Sequence, residues 1–139
     1  IVDCPPSLNM LTLNALVAAD GVIVPIQTEY YALEGLSALV RTIEQVRGAR
    51  NPRLSILGIV RTMHDPRNNL ATEVSAQLIA HFGDKVFRTI VPRNVRVAEA
   101  PSHGLPVLRY DRASRGAIAY LALASELLRR VDSGAAVAS

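Results

Sequence analysis

Apolar residues recur along the chain in two rhythms. Short continuous runs mark buried strands, and stretches spaced by three and four mark helices. Gly21-Val22-Ile23-Val24-Pro25 reads as a short strand. Leu33, Leu36, Val40, Ile43 and Val46 form one face of a helix ending near Gly48. Leu54 to Val60 predicts a strand buried on both faces. Asn68 or Asn69 caps the next helix, whose stripe is Leu70, Val74, Leu78 and Phe82 and which Gly83 closes. Val86 to Val91 is another strand, ended by Pro92. Ser114 caps a last helix, with Ile118, Leu121, Ala122, Leu127 and Leu128 expected to face inward. At the start, Ile1-Val2-Asp3 reads as the end of a buried strand. After the Pro5-Pro6 pair, Leu8, Leu11, Ala15 and Ala18 mark a helix.

Strands and helices in such short alternation predict an α/β fold, a parallel sheet with helices on both faces. Residues 1–130 form one domain portion on this reading, and 131–139, small and weakly patterned, a flexible tail. Ligands of such sheets bind beyond the carboxyl ends of the strands. The residues to watch therefore follow the strands: Asp3, Pro25-Ile26-Gln27, Thr62 to Arg67, and Pro92 to Pro101.

Composition narrows the function classes. The chain has 139 residues, half of them hydrophobic, enough for one modest core. No apolar run approaches the roughly 18 to 20 residues of a membrane span. Cys4 is the only cysteine, so no disulfide forms within the chain, which fits a reducing cytoplasm. His64, His81 and His103 show no ligand spacing for a structural zinc. The net charge is only +3, but it is unevenly spread. Residues 1–40 hold acids and no Lys or Arg. Residues 85–115 hold Lys85, Arg88, Arg93, Arg96, Arg109, Arg112 and Arg115 against Glu99 and Asp111. A basic face toward phosphates is one consequence, a solvated Arg-rich surface the blander one.

Three stretches carry candidate chemistry. Asp3, ending an apolar strand, can hold magnesium through its water shell, or act as a plain turn or cap residue. Thr62-Met63-His64-Asp65-Pro66-Arg67-Asn68-Asn69 reads as a polar loop, with Asp65-Pro66 its turn signal and Arg67 a phosphate contact or a solvated side chain. In Pro92-Arg93-Asn94-Val95-Arg96-Val97-Ala98-Glu99-Ala100-Pro101-Ser102-His103-Gly104, the two arginines lie three apart and Glu99 can neutralise one of them. His103-Gly104 reads as a loop turn. Tyr30, Tyr31, Tyr110 and Tyr120 form no stacking ladder for single strands.

Taken together, these strings resemble the ParA/Soj family of partition ATPases. The likeness lies in Ile-Val-Asp-Cys-Pro-Pro-Ser-Leu, Val-Pro-Ile-Gln-Thr-Glu-Tyr-Tyr-Ala-Leu-Glu-Gly-Leu, Thr-Met-His-Asp-Pro-Arg and Val-Pro-Arg-Asn-Val-Arg-Val-Ala-Glu-Ala-Pro-Ser-His-Gly, and runs from Ile1 to about Arg130. The resemblance implies a P-loop NTPase-like fold that binds ATP and Mg2+, forms a homodimer over two nucleotides, and then binds double-stranded DNA non-specifically. It implies release by a ParB-type partner and a cytoplasmic, nucleoid-associated protein without a membrane role. Asp3 matches the family's Walker B carboxylate, the catalytic and metal position. Thr62, Met63, Pro92 and Arg93 match segments flanking the adenine, and Arg67 and Arg96 match DNA-binding positions.

The departure from the pattern is the Gly-rich P-loop. No Gly-x-x-x-x-Gly-Lys run occurs, and Lys85 is the only lysine. The expectation is a truncated sheet lacking the P-loop strand, inactive as an ATPase alone. The alternatives are a MinD-like membrane-cycling ATPase, which needs a basic amphipathic C-terminal helix, and a non-enzymatic interaction fragment. A nitrogenase-type iron protein needs cluster cysteines, and one Cys cannot serve.

Overall fold

A computed structural model describes residues 1–133 apart from Pro6 and Leu8. Its elements are α1 (Met10–Ala18), β1 (Gly21–Gln27), α2 (Ala32–Ala49), β2 (Ser55–His64), α3 (Asn69–Phe82), β3 (Val86–Pro92), α4 (Val95–Glu99), α5 (Val107–Tyr110) and α6 (Arg115–Asp132). Caps account for several of the helix starts. Asn9, Asn68, Asn94 and Ser114 each accept a hydrogen bond from an amide of the first turn that has no partner inside the helix. At the end of α3, Gly83 adopts φ 50°, a conformation open to glycine at little cost.

The three strands form one parallel sheet in the order β1-β2-β3. On one face, Val24, Ile59 and Val86 pack with Leu36 of α2 and with Val74 and Leu78 of α3. On the other, Val60, Phe87 and Val91 pack with Leu123 and Leu127 of α6. α1 extends the first layer: its Leu16 joins Ile43 and Val46 of α2 and Leu54. Helices therefore lie on both faces, as the alternation predicts. β2 and β3 are covered twice. β1 buries Val24 but leaves Ile23, Pro25 and Gln27 exposed. Pro25, with no N–H to give a ladder, sits on this edge strand, where its loss is tolerated.

Four expectations need correction. Ile1 to Asp3 form no strand, and Ile1 and Val2 lie in solvent. A strand exists only where another pairs with it, and among the described residues none pairs with these. The second strand does not stop at Val60: Thr62 pairs with Gln27 and His64 with Pro92, so Thr62, Met63 and His64 belong to β2 rather than to a loop. In α6, Ile118, Leu121 and Leu128 face out, while Ala117, Leu123, Glu126 and Leu127 face in. α1 does form after the Pro pair, with Leu16 buried and Leu11 exposed. α6 also runs to Asp132, into the segment expected as a tail; residues 134–139 of that tail lie outside the described residues.

The inward face of α6 is set by a polar contact. β2 and β3 slip out of register between the pairs Ile59–Val86 and Arg61–Ile90, leaving Phe87, Arg88 and Thr89 bulged. Arg61 fills one side of the bulge. Its Nη2 donates to the carbonyls of Phe87 (2.8 Å) and Arg88 (3.3 Å), and its Nη1 donates to Ser75 Oγ on α3 (2.7 Å). Glu126 of α6 fills the other side, accepting the amides of Arg88 and Thr89 at 2.9 Å each and the Thr89 hydroxyl at 2.7 Å. Arg130, one turn later, bonds Glu126 and the carbonyls of Leu57 and Val86, and lies 4.2 Å over the Phe87 ring. Phe87 in turn occupies the space a side chain at Gly58 would need; a Cβ there would clash with the edge of the ring.

Burial pulls the Arg61 guanidinium pKa below its ordinary value, and Glu126 opposes that pull. Burial alone pushes the Glu126 carboxyl up, but the bonds from Thr89, Arg88 and Arg130 outweigh it and hold the pKa below its ordinary value of 4.5. A depressed carboxyl pKa stabilises the fold above the unfolded value, and the benefit disappears as pH falls through the folded one. Three outcomes are expected in urea melts. Glu126→Ala, which strands the amides of Arg88 and Thr89 and the Thr89 hydroxyl and takes one partner from Arg130, costs about 3 kcal/mol at neutral pH. Glu126→Gln flattens the loss of stability that the parent shows below pH 4.5. Gly58→Ala lowers the urea midpoint by an equivalent of about 1 to 3 kcal/mol, because Phe87 has nowhere to move.

Candidate functional site

The carboxyl ends of β1, β2 and β3 form one rim, and direct bonds join the segments that leave it. Thr28, after β1, is buried, and its hydroxyl lies 3.3 Å from His64 Nδ1 at the end of β2. The His64 carbonyl accepts the amide of Arg93, just past β3, at 3.2 Å. Thr62 donates its hydroxyl to the Ile26 carbonyl at 3.3 Å. His64 thus ties the exits of all three strands together. The sequence reading gave His64 no role, because nothing near it in sequence signals Thr28, 36 residues away.

Of the predicted nucleotide-flanking residues, Thr62, Met63, Pro92 and Arg93 do gather on this rim. Met63 has φ 52°, in the left-handed region, where a non-glycine residue costs about 1 kcal/mol or more. It sits where the β2–β3 register shifts again, between Arg61 and His64, and its side chain is about half exposed. The irregularity turns Met63 out of the sheet. Thr62 is half-buried with its hydroxyl already engaged, and Arg93 is exposed.

Arg67 follows β2 and Arg96 follows β3, so both leave the same edge of neighbouring parallel strands. Neither is a bare cation. Asp65 accepts from Arg67 through three contacts: the amide at 3.0 Å, Nε at 3.0 Å and Nη2 at 2.7 Å. The bonds and charge of Arg67, with Arg93 adding a weaker attraction, hold the Asp65 carboxyl at about 2. The same bonds raise the Arg67 pKa. Arg96 donates Nη1 to Glu99 at 2.9 Å, and its Nε lies 3.4 Å from Asp111. Glu99 also accepts the Tyr110 hydroxyl at 3.2 Å, and Tyr110 stacks on His103, ring centres 4.7 Å apart. The neutralising role foreseen for Glu99 is therefore present. Sequence spacing missed Asp111, Tyr110 and the His103 stack, which lie 7 or more residues from their partners. His103-Gly104 is the expected turn, with Gly104 at φ 64°.

Asp3 stands apart. It is exposed, and no hydrogen bond or ion pair joins it to the rim. Among the described residues, no three His, Cys, Asp or Glu side chains gather as a metal cluster. Mg2+ commonly keeps its waters and takes one or two carboxylates besides phosphate oxygens, so a lone exposed Asp3 suits a water-mediated contact. A phosphate cradle is a different matter: the described loops hold no Gly-rich turn with a lysine. Beside the rim, an open depression of about 410 Å3 is lined by Pro25, Gln27, Tyr30, Tyr31 and Leu36. A hollow of about 950 Å3 lies away from the rim, against the first half of β3, among Lys85, Arg88, Glu126 and Arg129.

Comparison with known proteins bears on this geometry. A family model described as an AAA domain matches residues 1–56. The chromosome partitioning protein ParA of Caulobacter vibrioides is 59% identical over 130 residues, covering 94% of this chain and 49% of that protein. The chromosome-partitioning ATPase Soj of Thermus thermophilus is 58% identical over 132 residues, covering 95% of this chain and 53% of that protein. A crystal structure of cobyrinic acid a,c-diamide synthase from Mycobacterium smegmatis, with bound ATP analog and magnesium, superposes with a TM-score of 0.77 at 36% identity. It covers 99% of this chain and 50% of that one. The chain spans about half the length of the curated relatives it matches. The parallel sheet is that of P-loop NTPase-like proteins, and over the half that it spans the chain belongs to the ParA/Soj family.

Proposed function

We propose that this chain carries the DNA-facing rim of an ATP- and Mg2+-dependent partition ATPase. The observation that carries the reading is the shared edge. β2 and β3 run side by side and parallel, so the loops bearing Arg67 and Arg96 leave the sheet together. Backbone phosphates need guanidinium groups at the surface and no reading of bases. Both arginines are exposed. A homodimer formed over two nucleotides would double the contacts, and a ParB-type partner would release the DNA. Such a protein works in the cytoplasm on the nucleoid.

In this reading Asp3 is the Walker B carboxylate and would hold magnesium through the ion's water shell. Thr62, Met63, Pro92 and Arg93 flank the adenine. The bulged, half-exposed Met63 offers an apolar surface for a base, and Arg93 lies beside it across the His64 bond. ATP bound with magnesium would supply the phosphoanhydride bond whose cleavage by water resets the cycle. The phosphates need a cradle that this chain's described loops do not provide.

Two measurements test the proposal. In a duplex-DNA titration at several salt concentrations, Arg67→Ala and Arg96→Ala each weaken binding on any sequence and reduce the salt slope by about one. Unchanged affinity in both variants overturns the DNA assignment. In isothermal titration the chain alone gives no micromolar ATP binding and no hydrolysis. Micromolar binding would sink the view that the phosphate cradle lies elsewhere.

A further inference from the structure

We infer that Asp65, and Glu99 with Asp111, are built-in counter-charges that hold the two rim arginines in place and lower their affinity for phosphate. The inference rests on the DNA reading above and adds a regulator of that same surface. Each arginine meets a carboxylate through its guanidinium fork, the group that would grip a phosphate. Arg67 spends Nε and Nη2 on Asp65 and keeps Nη1 free. Arg96 spends Nη1 on Glu99 and points Nε toward Asp111. A phosphate must displace or share these carboxylates, and it meets their charge at close range.

The geometry separates this role from plain surface pairing. The Asp65 Oδ1 that accepts Arg67 Nε also accepts the Arg67 amide, so the carboxylate shapes the turn and aims the side chain at once. Glu99 is fixed by the Tyr110 hydroxyl, and Asp111 Oδ1 accepts the Ala113 amide. Each acid thus keeps one bond that involves no arginine side chain: Asp65 to the Arg67 amide, Glu99 to Tyr110 and Asp111 to the Ala113 amide. They stay on the rim when the arginines leave, and draw them back when phosphate departs. An interface built this way is weak by construction, which suits contacts that must be made and broken repeatedly.

The amide variants isolate charge from shape, because Asn and Gln keep an oxygen for the local bonds. The full chain is titrated with a fluorescent duplex at low and high salt. Asp65→Asn tightens binding by about threefold to tenfold at low salt, and the gain fades as salt screens the rim. Glu99→Gln and Asp111→Asn act in the same direction. Asp65→Ala, which loses the turn as well, gains less than Asp65→Asn. The inference fails if Asp65→Asn and Glu99→Gln bind no tighter than the parent while Arg67→Ala still weakens binding. If Arg67→Ala and Arg96→Ala change nothing either, the DNA reading falls and the inference with it. A DNA-independent readout guards against misfolding. The Arg67 Nε–H proton, bonded to Asp65 in the parent, is expected to exchange with water faster in Asp65→Asn, while the urea midpoint moves little.

Discussion

The meeting of Arg61 and Glu126 across the β3 bulge is the constraint on which the architecture depends. A bulge in a parallel pair strands amides and carbonyls that the ladder no longer satisfies. Left unpaired in a buried site, each would cost about 1 to 3 kcal/mol. Arg61 takes the carbonyls from the α3 side, and Glu126 takes the amides from the α6 side. Two opposite charges buried near each other would be costly apart; here each completes the other's surroundings. Among the buried side-chain nitrogens and oxygens of the described residues, only Arg61 Nε lacks a hydrogen-bond partner.

This clamp decides which face of α6 meets the sheet. With Glu126 and Arg130 turned inward, Leu123 and Leu127 follow them, and Ile118, Leu121 and Leu128 are rotated out. At its other end, α6 presents Gly116 to Val97 and Asn94, leaving no room for a side chain. The segment after β3, with Arg96, is thereby seated against the start of α6. The buried clamp and the exposed rim are linked through one helix.

The rim combines rigidity with electrostatic restraint. His64 joins the three strand exits, so loops that are free in sequence leave the sheet from fixed points. Their arginines carry positive charge to the edge where ligands of parallel sheets bind, yet each is held by an acid. Phosphate affinity at such a surface is a difference between two attractions.

The alternation of apolar runs and helical stripes gave the fold class, the strands β1 to β3, α2, and α3 with its caps Asn68 and Gly83. These follow from local rules: burial periodicity and the satisfaction of end amides need only nearby residues. The rim arginines and their neighbour Glu99 were also legible, because motif and spacing lie within one stretch of chain. The inward face of α6 was not. Leucine spacing pointed to Ile118 and Leu128, and nothing local marks the charged Glu126 as inward-facing; its bonds come from Arg88 and Thr89 on a distant strand and from Arg130. Nor did pattern reveal that Thr62 to His64 continue a strand, or that Asp111 reaches Arg96. Those outcomes rest on partners brought together only by folding, since a hydrogen bond's worth depends on which distant group arrives to complete it.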